Sequence, residues 1–146
     1  MSEHDEISIA HMSMIQGIVT RLETNCFTLK AMAMALAAAL LAFVGSLKNP
    51  NWVYPLAGCL PVIVFWIMDA QYLRLGRAYR KLYDAVRKHE VADPFSMDIR
   101  LYLKEVKKLL RTAISWSVLW YYVSILAVFL FITLRFFFAA KEATNA

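Results

Sequence analysis

The sequence predicts an all-α membrane protein, with three transmembrane helices extended into a cytoplasmic helical stalk. Three observations carry this expectation. Of 146 residues, 60% are hydrophobic and the mean hydropathy is +0.50, above the roughly half-apolar make-up of an average soluble domain. The apolar residues are gathered into runs, as membrane insertion requires. Amphipathic stretches with a three-and-four spacing run into these apolar segments without a breaker, as long helices leaving the bilayer would.

The first apolar run covers residues 31–47 and is bracketed by Lys30 and Lys48. It is rich in Ala and Met, which let helices approach closely. A turn is expected at Lys48, Asn49, Pro50 and Asn51. The second run covers 52–68 and ends at Asp69. Pro55 falls in its first turn, where proline is tolerated, and Pro61 should kink the helix or leave the Ala57 carbonyl without its usual donor. The third run covers 112–134, with Trp116, Trp120, Tyr121 and Tyr122 in its first half. Outside these runs, Ser8, His11, Ile15, Ile18, Leu22, Asn25 and Leu29 form a heptad stripe. Tyr72, Leu75, Tyr79, Leu82 and Val86 form a second, and Ile99, Leu103, Val106, Leu110 and Ala113 a third. Asp93 and Pro94 should stop the second helix, Ser96 suits an N-cap, and Asp98 suits a first turn. The expected helices are therefore 8–47, 52–91 and 97–137 in a single membrane domain, each about 60 Å long. The cytoplasmic stalk comprises 8–30, 70–91 and 97–111.

Charge orients this arrangement. The net charge is +5, a balance that in a soluble protein would raise nucleic-acid binding. Here eleven of the 16 Lys and Arg residues lie between Asp69 and Arg111, so the positive-inside rule explains them first. It places the N-terminus and stalk in the cytoplasm of a bacterial cell and the C-terminus in the periplasm. The acidic start lacks the basic segment and short apolar core of a signal peptide, so the first span should serve as the uncleaved insertion signal.

Residues that could carry chemistry are few. Lys30, Asp69 and Arg111 are expected at one level, the cytoplasmic membrane boundary. Asp69 either staples the bundle by pairing with Lys30 or Arg111, or joins a carboxylate ring at a pore mouth in an oligomer. Asn25 interrupts its apolar stripe, where it either fixes register or contributes to a gate. His11 reads as a solvated histidine, with pH sensing the sharper alternative. Arg135 reads as a snorkelling interface residue beside Phe136, Phe137 and Phe138, or as a residue of an outer pore mouth. Arg77, Arg80, Lys81, Arg87 and Lys88 read as a solvated face meeting anionic lipid, or as the binding site of a nucleotide or oligonucleotide signal. The glycines are isolated, so no phosphate loop supports the latter. Cys26 and Cys59 lack metal-ligand spacing, look geometrically ill-suited to a mutual disulfide, and read as small packing residues. No paired-carboxylate, Ser/His/Asp, Cys/His or metal constellation is present. The expectation is no enzyme, no cofactor and no structural metal.

Three blocks carry a resemblance. The first is the run from His11 to Gln16 with Arg21, Asn25, Phe27, Leu29 and Lys30. The second is Pro61, Phe65 and Trp66 with Asp69, Tyr72, Arg77, Arg80, Leu82, Tyr83, Asp84, Val86 and Arg87. The third is Phe95, Ser96, Met97 and Asp98. Over roughly residues 11–98 they resemble a widespread group of small bacterial membrane proteins of antiphage defence loci. They are similar to the channel portion of the Hailong effector. The resemblance implies a homo-oligomeric ion channel that arrests growth when opened during infection. In the Hailong case a nucleotidyltransferase makes a DNA oligomer that holds the effector closed through a separate crown domain. Beyond its stalk this sequence leaves no room for such a domain, so only Asn25, Lys30 and Asp69 are carried over, as gate elements. The functional expectation is an oligomeric inner-membrane pore or channel controlled by a cytoplasmic signal. The alternative is a membrane anchor or assembly protein whose stalk recruits a cytosolic regulator or partner protein.

Overall fold

The structure is a computed structural model that describes residues 3–48, 51–91, 93 and 95–145. Its regular elements are all α-helices: α1 (Glu3–Ser46), α2 (Val53–Arg87), α3 (Arg100–Glu105), α4 (Leu109–Ala113) and α5 (Trp116–Asn145). Three stretches are long and apolar enough to cross a bilayer, Asp5–Ser46, Val53–Arg87 and Trp116–Glu142. The chain is an all-α protein with three candidate membrane spans. The expected turn residues Asn49 and Pro50, and the expected stop at Pro94, lie outside the described residues.

α1 is unbroken, but its buried face departs from the expected heptad. Burial recurs every eleven residues: His11, Leu22, Ala33 and Val44, then Ile15, Cys26 and Ala37, then Ile18, Leu29 and Leu40, all buried or half-buried. A seven-residue repeat drifts about 20° per heptad on a straight helix, whereas an eleven-residue repeat matches about 3.67 residues per turn. By the fourth turn the two patterns have separated by one position. Cys26 takes the inward place and Asn25 is exposed, which corrects the expectation that Asn25 interrupts a packed seam within the chain.

α2 starts with Pro55 in its first turn and continues through Pro61. It ends before the expected limit of 91. The Glu90 amide donates to the Ala85 carbonyl and the His89 amide to that of Val86, each at 3.0 Å, while His89 takes a left-handed φ of 57°. This is a Schellman cap with histidine where glycine is usual.

The expected third helix, 97–137, is three helices. At 106 the backbone turns extended, with φ −77° and ψ 152°. A continuous helix would stack Lys104, Lys107, Lys108 and Arg111 at spacings of three and four, where like charges repel. The second break precedes Trp116. The Ser115 carbonyl accepts from the Val118 and Leu119 amides at 3.0 and 2.9 Å, making Ser115 the residue that opens α5. Ser96 is not the N-cap of α3. Ile99 holds that position without a side-chain cap, and the Asp98 carboxylate instead accepts from the Arg100 amide at 2.9 Å.

By internal packing the chain divides into two compact units, the first formed by Met1–Phe27 with Asp69–Thr112 and the second by Thr28–Met68 with Ala113–Ala146. In the first, Ile15, Leu82 and Val86 form a buried core against which Met12, Val19, Tyr79, Tyr83, Val91, Met97, Ile99 and Tyr102 pack. In the second, Ala33, Ala37, Val62, Val118, Tyr122 and Phe129 are buried. Gly58 has no room for a side chain, because a methyl group there would overlap the Phe129 ring. Trp66 stacks on Tyr122 at 6.1 Å between centroids, and its indole N–H donates to the Ala113 carbonyl at 3.1 Å. The Tyr121 hydroxyl donates to the Lys30 carbonyl at 2.6 Å.

Candidate functional site

α2 delivers Asp69 at the point where its apolar run gives way to polar sequence. The side chain is fully buried, with Ala70 beside it equally enclosed. On the same level of the first unit, the Cys26 thiol of α1 points at the Asp69 carbonyl, 3.9 Å away. A small crevice adjoins it, lined among others by Leu22, Cys26, Gly76, Arg77 and Arg80. The inward phase of α1 that puts Cys26 here is what removes Asn25 from this level.

The other sequence-nominated residues are placed as follows. Lys30 is half-buried in the second unit and Arg135 is exposed there. Arg111 is exposed on α4 and forms no ion pair among the described residues, so it does not staple Asp69. Of the five candidate phosphate-binding cations, three already meet carboxylates. Arg80 pairs with Glu23 of α1, Lys81 with Glu105 of α3 at 2.7 Å, and Arg87 with Asp84 at 3.7 Å. Arg77 is half-buried and Lys88 exposed. The Arg80 and Lys81 pairs link α2 to α1 and α3, whereas the Arg87 pair lies within α2. Neither Cys26 nor Cys59 is in a disulfide. Among the described residues no three His, Cys, Asp or Glu side chains gather in a metal-ligating group.

Two polar features were not anticipated. His11 is 1% exposed rather than solvated. Its Nε2 lies 3.0 Å from the Ser96 carbonyl, which can only accept, so Nε2 carries the proton. The Phe95 ring lies 6.1 Å away. The sequence signal was present, since His11 stands four residues before Ile15 on the same stripe. Arg74 is the second: half-buried, it donates to the Leu103 carbonyl at 3.3 Å.

Outside the spans, the Arg100 guanidinium grips both Asp98 oxygens, with contacts of 2.7 to 3.0 Å. These bonds, with the one from the Arg100 amide, hold the Asp98 carboxyl down at about 2, and the carboxylate in turn raises the Arg100 guanidinium.

No protein-family model, curated protein or solved structure matches this chain.

Proposed function

We propose that the chain is a homo-oligomeric pore-forming or ion-channel protein of the bacterial inner membrane, controlled by a cytoplasmic signal and acting as a growth-arrest effector. Its N-terminus is cytoplasmic and its C-terminus periplasmic. The observation that carries this reading is Asp69, a wholly buried carboxylate at the end of the second apolar run. Ionisable side chains within or bordering a membrane are expensive, face a bundle interior or a water-filled cavity, and mark ion pathways. Three helices enclose no aqueous path, so conduction requires several copies. The basic loop between the second and third spans supports the orientation.

A second reading, a membrane anchor that recruits a cytosolic partner, is favoured by a groove in the first unit. The groove holds about 390 Å³ and is lined by Asp5, Ser8, Ile9, Met12, Val86, Arg87 and His89, a mixture of apolar and charged side chains.

Native mass spectrometry in detergent, with planar-bilayer current on the same preparation, separates the two. The pore reading expects a closed ring that conducts cations, and Asp69→Asn should keep the ring while lowering cation conductance, because each subunit loses a focusing charge. A monomer, or a ring whose current is indifferent to Asp69→Asn, would overturn it.

A further inference from the structure

Apart from Arg21, Arg74, Arg77 and Lys88, the cations of the first unit fall into two groups that the sequence does not separate. Arg80, Lys81, Arg87 and Arg100 each meet a carboxylate. Lys104, Lys107, Lys108 and Arg111 are all exposed and form no ion pair among the described residues. The break between α3 and α4 presents this second group. Thr112 is fully buried; its amide donates to the Lys108 carbonyl at 3.0 Å and its hydroxyl to that of Lys107 at 3.3 Å. These local bonds close the turn into α4, while Lys107, Lys108 and Arg111 remain in the open. Among them stands Leu110, 78% exposed, although α4 has a buried side to offer an apolar residue. Five residues after Arg111 the chain enters the third candidate span at Trp116.

Clustered unpaired cations, an outward apolar residue and immediate passage into a membrane span together describe one occupant. We propose that residues 104–111 dock on an anionic phospholipid surface, the headgroup phosphates meeting Lys107, Lys108 and Arg111 while Leu110 enters the acyl boundary. Juxtamembrane cations are attracted by an anionic leaflet, and a free anion offers nothing for Leu110. A protein partner could cover the same face, but the adjoining candidate span favours a bilayer. The proposal stands whether or not the chain conducts.

The test uses the full chain, stripped of lipid in detergent, with phosphatidylglycerol and phosphatidylcholine offered in equal amounts and bound adducts counted by native mass spectrometry. The wild type should prefer phosphatidylglycerol, and the preference should fall by about fivefold for each cation removed, vanishing in the triple variant Lys107→Gln, Lys108→Gln, Arg111→Gln. The triple variant Arg77→Gln, Arg80→Gln, Lys81→Gln should keep it. Leu110→Ser should weaken adducts of both lipids. Melting each variant in phosphatidylcholine bicelles shows whether it is folded. If the first triple variant unfolds there, Lys107→Gln alone supplies the measurement. Preference that survives loss of the three cations, or that disappears equally in the second triple variant, overturns the proposal. Displacement of the lipid by inorganic phosphate at equal concentration overturns it too, since the site would then be one for a soluble anion.

Discussion

In the first unit, helices are joined by bonds between side chains and to the backbone. His11 reaches Ser96, Arg74 reaches Leu103, and Glu23 and Glu105 each take a cation of α2. The second unit is built on close contact between its helices. Small residues on α1, Ala33 and Ala37, are buried there, Gly58 admits the Phe129 ring, and aromatic rings stack or meet edge-on. The expected placement of the first unit in water and of the second in lipid accounts for the difference. Where water is at hand, exposed ion pairs are cheap to make and individually weak. Between helices in lipid, no hydrophobic drive favours association, so close approach of backbones and dispersion must supply it. The second unit therefore combines steric fit with the Trp66 and Tyr121 hydrogen bonds, and the first adds exposed ion pairs to an apolar core.

The largest expected effect breaks the steric fit. Gly58→Ala puts a methyl group into the space of a ring that is itself fully buried. Overpacking of this kind costs about 1–3 kcal/mol. Thermal unfolding in detergent should show a clear drop, and pairing Gly58→Ala with Phe129→Leu should recover part of it. Equal drops in the single and double variants would mean that Phe129 is not what Gly58 accommodates.

A smaller effect should appear in the first unit with the opposite sign. His89 takes a left-handed backbone at the end of α2, a conformation disfavoured in any residue with a Cβ. His89→Gly removes that strain but loosens the unfolded chain, for a net gain of about 0.5 kcal/mol. His89→Ala retains the strain and should not gain. If both substitutions raise the melting temperature equally, the imidazole rather than the backbone is responsible.

The three candidate spans were legible because long apolar runs leave few alternatives. What the sequence concealed is specific. The heptad reading of α1 fitted residues 8–22 and failed at Asn25, since seven- and eleven-residue repeats coincide for three turns before they separate. The end of α2 was hidden because histidine occupies a place normally signalled by glycine. The breaks in the third helix carry neither proline nor glycine. Charge repulsion along 104–111 was the available signal. Around Asp69, its position at the end of an apolar run was readable, whereas the partnership of Cys26 with its carbonyl depended on the phase of α1. The fit of Gly58 to Phe129 joins residues far apart in sequence, and no local pattern announces it.

The smallest expected effect sharpens the contrast through acid. Asp98 is held at about 2 by Arg100, whereas an unpartnered aspartate titrates near 3.9. A carboxyl depressed in the folded state contributes stability that is present above its unfolded value and is lost as pH falls toward the folded one. The contribution of Asp98 should therefore fade between pH of about 4 and about 2. Because the pair is fully solvated, it should be slight and screened by salt. The measurement is an NMR titration of the Asp98 carboxyl in wild type and in Arg100→Gln, with melting temperature followed over the same range. Arg100→Gln should return the titration toward the ordinary aspartate range and flatten the part of the melting curve due to Asp98. The packing of Gly58 against Phe129 has no proton to exchange, so the destabilisation in Gly58→Ala should be the same at both ends of that range. If the Asp98 titration stays low without the guanidinium, the backbone amide of residue 100 alone depresses it, and the side-chain pair is incidental to the fold.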